Sequence, residues 1–379
     1  MYICKMIERE LTTILKQKFF KNKAIVITGP RQVGKTTLAK TLVDEIGKPF
    51  LWFNGDEPKT SQLFQGISST EMTQLFGKNK IVVIDEAQQI ENIGTILKLI
   101  VDNLPEVQII ATGSSSFDLA NKLSEPLTGR KFEYLLYPIS YGELIKEHGK
   151  LKEKQELNLR LIFGSYPEVI TGFQEASEIL GWLSDSYLYK DLLKLESLKK
   201  PSLLVKLLQA LAWQLGNEVS YNEVAKTIGS DPKTVEKYID LLEKTFVVFR
   251  LSALSRNIRT EIKKSRKVYF YDNGIRNAII GNLNRIEMRN DVGALWENYL
   301  ISERKKLLEY KRIRANMFFW RTTQQQEIDY IEERDGLLNA YEFKYNPDKI
   351  SRLPKAFKTA YPENIFKIIN SENYSEFLV

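Results

Sequence analysis

Nine consecutive residues, Gly29-Pro30-Arg31-Gln32-Val33-Gly34-Lys35-Thr36-Thr37, form a glycine-bounded loop that ends in a lysine and two hydroxyl side chains. Glycines at both ends let such a loop wrap closely, so that backbone N–H groups and a helix start face phosphate oxygens. Lys35 is expected to reach the β- and γ-phosphates of ATP, and the Thr36 hydroxyl to hold Mg²⁺. Pro30, Arg31, Gln32, Val33 and Thr37 complete the cradle. A second arrangement, Asp85-Glu86, closes the apolar run Ile81-Val82-Val83-Ile84. A carboxylate at the end of a buried run is costly unless it is paired or coordinates a metal. Asp85 is therefore expected to hold Mg²⁺ through water, and Glu86 to polarise the water that attacks the γ-phosphate. Thr112 and Ser114 end another apolar run and are expected to orient that water or sense the γ-phosphate, with a strand-ending turn or a helix N-cap as the alternative. Arg130 is expected to stabilise transition-state charge, in its own chain or a neighbouring subunit, with a solvated arginine as the alternative.

A third arrangement lies nearer the C-terminus. Asp329 stands in the alternating run Glu327-Ile328-Asp329-Tyr330-Ile331, and Glu342 and Lys344 end the run Asn339-Ala340-Tyr341-Glu342-Phe343-Lys344. Side chains repeat every two residues along a strand, so Glu342 and Lys344 share a face. Asp329 and Glu342 are expected to converge on one Mg²⁺, with Glu297 adding a carboxylate from an overlying helix and Lys344 steadying a hydroxide or a scissile phosphate. The competing account is an ordinary Glu342–Lys344 ion pair. The predicted helix–strand–strand–strand–helix–strand order over 291–379, with these residues, resembles the PD-(D/E)xK nuclease-like fold, although Ile328 stands where that pattern has its proline. The resemblance implies an α+β domain and, where catalysis is kept, metal-dependent cleavage of nucleic acid.

Composition limits the rest of the chemistry. The 379 residues exceed the size at which single cores stop growing, and 43% hydrophobic with 27% charged residues predicts a soluble globular protein of several domains. One histidine, His148, excludes His-rich metal sites and a Ser-His-Asp triad. One cysteine, Cys4, excludes an intramolecular disulfide and fits a cytoplasmic protein. No apolar run is long enough to span a bilayer, so no membrane partner is expected. The formal charge of +7 is compatible with a nucleic-acid partner.

The elements that must position these groups read as α/β. Strand-like runs at 24–27, 50–53, 80–86, 107–114 and 131–138 alternate with helical stretches, which predicts a mostly parallel sheet covered on both faces over 1–145. In such sheets ligands sit at the carboxyl ends of the strands, where Gly34, Asp85 and Thr112 fall. The loop Gly29 to Thr37, the Asp85-Glu86-Ala87-Gln88 run, Thr112 to Ser116 and Leu127-Thr128-Gly129-Arg130 resemble a prokaryotic branch of the AAA-type P-loop ATPases. The resemblance implies a five-stranded sheet with the phosphate-loop strand central, and a C-terminal region of unassigned function.

Residues 146–200 read as a helical lid or linker. Over 201–290, a helix started by Ser220 with Glu223 three residues on ends at Gly229, and another follows Ser230-Asp231-Pro232. Two strands flanking a basic loop then complete a winged-helix pattern. Lys233 and Lys237 on the second helix, with Arg256, Arg259, Lys263 and Lys264 in a loop that also holds Arg266 and Lys267, are the expected phosphate contacts to DNA. The sequence thus predicts an ATPase acting on DNA, compatible with a homo-oligomer. The alternative is an ATP-dependent switch or scaffold whose C-terminal domain binds without cutting.

Overall fold

The strands Ala24–Thr28 (β1) and Ile81–Asp85 (β3) are buried along their whole length, as strands must be when helices cover both faces of a parallel sheet. In this computed structural model, which describes residues 7–114, 127–186, 200–255 and 266–379, they join Phe50–Asn54 (β2), Gln108–Gly113 (β4) and Lys131–Leu135 (β5). The sheet order is β2-β3-β4-β1-β5, all parallel. The half-exposed β2 and β5 are the edges. The phosphate-loop strand β1 is thus interior, between β4 and β5, but one place from the middle, which β4 takes. The helices Lys35–Ile46 and Ile93–Asn103 pair with this sheet, the latter burying Ile93, Ile96, Leu97 and Ile100 in its core.

The chain divides into two compact units, Met1–Ile139 with Lys244–Phe246, and Ser140–Glu243 with Val247–Val379. The helix Tyr141–His148 belongs to the second. Its first turn is closed by a reciprocal Ser140–Glu143 capping box, and the Tyr141 N–H donates to Glu303 Oε2 at 2.7 Å.

The second unit holds a six-stranded sheet of order β11-β10-β9-β8-β6-β7, from Val248–Ala253 (β6), Arg266–Phe270 (β7), Asn316–Arg321 (β8), Glu327–Arg334 (β9), Leu337–Phe343 (β10) and Asn364–Ile369 (β11). The β9–β10 hairpin turns at Asp335-Gly336, both with positive φ (50° and 81°), as a tight Asp-Gly turn requires. The helices Tyr221–Ile228 and Pro232–Lys244 are joined through left-handed Gly229. The β6–β7 pair that follows them, read from sequence as the strands of a wing, is not a separate sheet. β6 lies parallel to β8 through Ser252↔Phe318 and Ala253↔Phe319, which makes the pair the edge of the C-terminal sheet. The 19-residue helix Val292–Tyr310 is anchored to β7 by Asn298, fully buried, which accepts from the Phe270 N–H and donates to its carbonyl.

Candidate functional site

The first candidate site is built at the carboxyl ends of β1, β3 and β4. Gly29 leaves β1 with φ +149°, and a Cβ there would stand 2.2 Å from the Leu136 carbonyl oxygen, so the strand can turn into the loop only as glycine. Val33 is buried beneath the loop, and Arg9 donates to its carbonyl at 2.7 Å and to the Tyr137 carbonyl at 2.6 Å. Lys35 is only 5% exposed; its ammonium donates to the carbonyls of Gly29 (3.0 Å) and Pro30 (2.7 Å), across the mouth of the loop. The Thr36 hydroxyl donates to Asp85 Oδ2 at 2.9 Å, and Thr112 donates to Asp85 Oδ1. These hard oxygens side by side fit Mg²⁺, which Thr36 and Asp85 would hold.

Glu86, the residue after β3, is in a left-handed conformation (φ +49°). Its N–H donates to the Thr112 hydroxyl at 3.2 Å, and its carboxylate accepts from Gln88 Nε2 at 2.5 Å. Gln88 in turn donates to Ser114 at 3.2 Å. Thr112, fully buried, therefore ties Asp85 and Glu86 together. Gln88 belongs to the Asp85-Glu86-Ala87-Gln88 run but has no role assigned from sequence; the structure gives it one, as the donor to the Glu86 carboxylate.

The structure brings together Gly29 to Thr37, Asp85, Glu86 and Thr112. Arg130 is elsewhere: its carbonyl accepts from the Ala24 N–H at 2.9 Å, at the amino end of β1. About 3.3 Å of rise per residue puts it roughly 15 Å from the loop. Its guanidinium pairs with Asp102 at 2.6 Å, both partly exposed. Within one chain Arg130 therefore does not face the phosphates, because β5 runs parallel to β1 and starts at the same end.

The second candidate site lies on the six-stranded sheet. Continuing the Tyr341↔Tyr330 register by one pair sets Glu342 opposite Asp329. Asp329 Oδ2 accepts from the Phe343 N–H at 2.7 Å, and Lys344 donates to Glu342 Oε1 at 2.7 Å. Burial, then the charges of Glu297 and Glu342, push the Asp329 carboxyl well above the ordinary aspartate range, with Lys267 pulling it back only in part. Burial opposes the charge on Lys344, but Glu342, Asp329 and Glu297 hold it above the ordinary lysine value.

The four residues singled out from sequence therefore share one electrostatic site. Glu297 Oε1, however, is already taken by Lys267 (3.0 Å) and the Tyr269 hydroxyl (2.5 Å). Among the described residues no three His, Cys, Asp or Glu groups are placed to hold one metal ion, so Glu297 does not join Asp329 and Glu342 as a third ligand. Lys267 also pairs with Glu327 at 2.5 Å and is 1% exposed. The sequence reading set Lys267 among phosphate-binding cations; its place on an inward face of β7 removes it. The two-residue repeat that sets Glu327 on the face of Asp329 was the available signal.

Of the nucleic-acid cations, Lys233 and Lys237 are exposed one turn apart on Pro232–Lys244. Arg266 pairs with Glu236 at 3.6 Å and donates to the Tyr221 hydroxyl at 3.0 Å. Arg256, Arg259, Lys263 and Lys264 lie outside the described residues. No helix among the described residues is long and apolar enough to cross a membrane.

Comparison with known proteins matches residues 21–145 to the AAA domain, 154–286 to a domain of unknown function (DUF8612) and 292–374 to a second one (DUF4143). An uncharacterized protein of Mycobacterium tuberculosis is 27% identical over 350 residues, 90% of this chain and 75% of its own length. Another uncharacterized protein, from Methanocaldococcus jannaschii, is 24% identical over 397 residues, covering 96% of this chain and 86% of the relative. Among solved structures, the Thermotoga maritima RuvB Holliday junction branch migration motor aligns at TM-score 0.33 and 17% identity, over 64% of this chain and 90% of its own. The AAA-domain match and the parallel five-stranded sheet with its phosphate loop establish an AAA-type P-loop fold for the first unit.

Proposed function

We propose that the chain binds Mg²⁺–ATP through Gly29 to Thr37 and hydrolyses it in the cytoplasm, using the cycle to act on DNA through the helix pair Tyr221–Ile228 and Pro232–Lys244 and a nuclease-like C-terminal domain. The hydrolytic part is supported by one observation: Asp85 joins the Thr36 and Thr112 hydroxyls, and the next residue, Glu86, donates its N–H to the same Thr112 hydroxyl. Mg²⁺ would supply charge neutralisation at the phosphates. Lys35 would leave the Gly29 and Pro30 carbonyls for phosphate oxygens, Thr112 would keep Asp85 and Glu86 in register, and Glu86 would take the proton of the attacking water. Arg130, at the far end of its own sheet, is left with a role only toward a neighbouring subunit of a homo-oligomer.

DNA is supported by exposed Lys233 and Lys237, and by the Arg and Lys residues between 256 and 264 in the sequence. Cleavage is supported by Asp329 and Glu342, whose Oδ1 and Oε2 accept no hydrogen bond among the described residues. A divalent cation held there would polarise a phosphate, with Lys344 beside it. The test is plasmid DNA with Mg²⁺ or Mn²⁺, with and without ATP. Cleavage that Asp329→Ala removes while ATP hydrolysis is unchanged supports the reading; no cleavage under any of these conditions contradicts it. A second reading, an ATP-dependent switch or scaffold that binds without cutting, draws on Lys267, whose ammonium already neutralises part of the acidic site.

A further inference from the structure

Lys267 is an unusual residue to find buried, on the edge strand β7 of the six-stranded sheet. It leaves β7, passes over the Phe319 ring at 5.4 Å, and ends with its ammonium 3.0 Å from Glu297 Oε1 and 2.5 Å from Glu327 Oε1. A buried ammonium is stable only when carboxylates surround it. Here the surrounding is specific. Glu297 Oε1 is further fixed by Tyr269, and Glu327 lies 3.8 Å from Arg321, which itself pairs with Glu218 at 3.0 Å.

The site has two halves. In one, Glu297 and Glu327 share the Lys267 ammonium. In the other, Asp329 and Glu342 each keep one oxygen without a hydrogen bond among the described residues, with Lys344 on the second oxygen of Glu342. Lys267 is shared by Glu297 and Glu327, and Lys344 pairs with Glu342, so Asp329 and the second oxygen of Glu342 are the groups left for a cation.

We infer that Lys267 stands in for a second divalent cation, so that the acidic site takes one metal ion, on Asp329 and Glu342, and not two. This rests on the metal reading of Asp329 and Glu342 given above. Lys267 is a positioning residue: it touches neither the metal nor a substrate, and acts by occupying Glu297 and Glu327. It also makes the metal site depend on β7, because the ammonium comes from the strand after the helix pair Tyr221–Ile228 and Pro232–Lys244.

The test is Mn²⁺ titration of the nucleotide-free full-length chain, read by loss of the free-ion spin-resonance signal, with circular dichroism to confirm folding. The wild type is expected to bind one ion that Asp329→Asn removes. Lys267→Gln is expected to bind two ions, both lost with Asp329→Asn, and Lys267→Arg to return to one. Should Lys267→Gln not fold, the wild-type count still decides: two ions, both lost in Asp329→Asn, overturn the inference. One ion with unchanged affinity in both wild type and folded Lys267→Gln overturns it while leaving the metal reading intact. No ion in the wild type overturns the metal reading and the inference with it.

Discussion

Glu86 shows how much a single residue's setting decides. Its backbone is left-handed, its carboxylate accepts from Gln88 at 2.5 Å, and Thr112 holds its N–H. A buried acid of the second unit, Glu303, has a different task. It accepts from the Tyr141 N–H and from Lys306 at 2.6 Å, close to Asp272, and burial pushes its carboxyl above the ordinary value despite Lys306. The folded state therefore keeps this proton to higher pH than the unfolded chain does. The associated stability is fully present below the ordinary glutamate range and is lost as pH rises through the raised value. Urea unfolding of the wild type from pH 4.5 to 7.5 should contain this loss, at a slope of at most about 1.4 kcal/mol per pH unit for one group. Glu303→Gln should be flatter by that contribution; an unchanged slope would show that Glu303 is ionised throughout.

At the scale of elements, the first unit was legible because its signals are local. Fully apolar runs ending in Thr28 and Asp85 announce buried parallel strands, and the loop residues between Gly29 and Thr37 need a particular backbone. The Asp335-Gly336 hairpin and the helix pair around Gly229 were legible for the same reason. What was not legible is pairing between distant segments. Nothing in Val248–Ala253 states that its partner on one side is Asn316–Arg321, so a strand pair that reads as a wing became a sheet edge. Lys267 was misplaced with it, since a lysine beside a basic loop looks solvated until its strand is placed. Arg130 likewise follows a motif in sequence yet sits at the wrong end of its strand. The exposed pair Lys233 and Lys237 should still contact DNA phosphates if the helix Pro232–Lys244 is offered to a groove. Replacing both with alanine should lower the slope of log affinity against log salt by about 2, at about 0.9 per phosphate, equally for every sequence tested. A slope identical to the wild type would remove this helix from the interface.

At the scale of the whole molecule, the chain joins an AAA-type P-loop unit to a second unit in which one six-stranded sheet carries an acidic site. The two kinds of chemistry use the same economy of residue types. With a single histidine in the chain, both sites rely on carboxylates, hydroxyls and lysines. In the first unit the carboxylate beside the loop is tied by two threonines and the next is held by a glutamine. In the second, lysines neutralise acids that would otherwise repel one another. The central claim is hydrolysis of ATP with Glu86 as the group that activates water, and the most direct measurement is a single pair of assays on Glu86→Gln. Nucleotide binding should match the wild type, since no cradle residue is changed, while steady-state phosphate release should fall about 10²- to 10⁴-fold, the range for loss of a general base. Phosphate release by Glu86→Gln at the wild-type rate, with binding intact, would contradict the account.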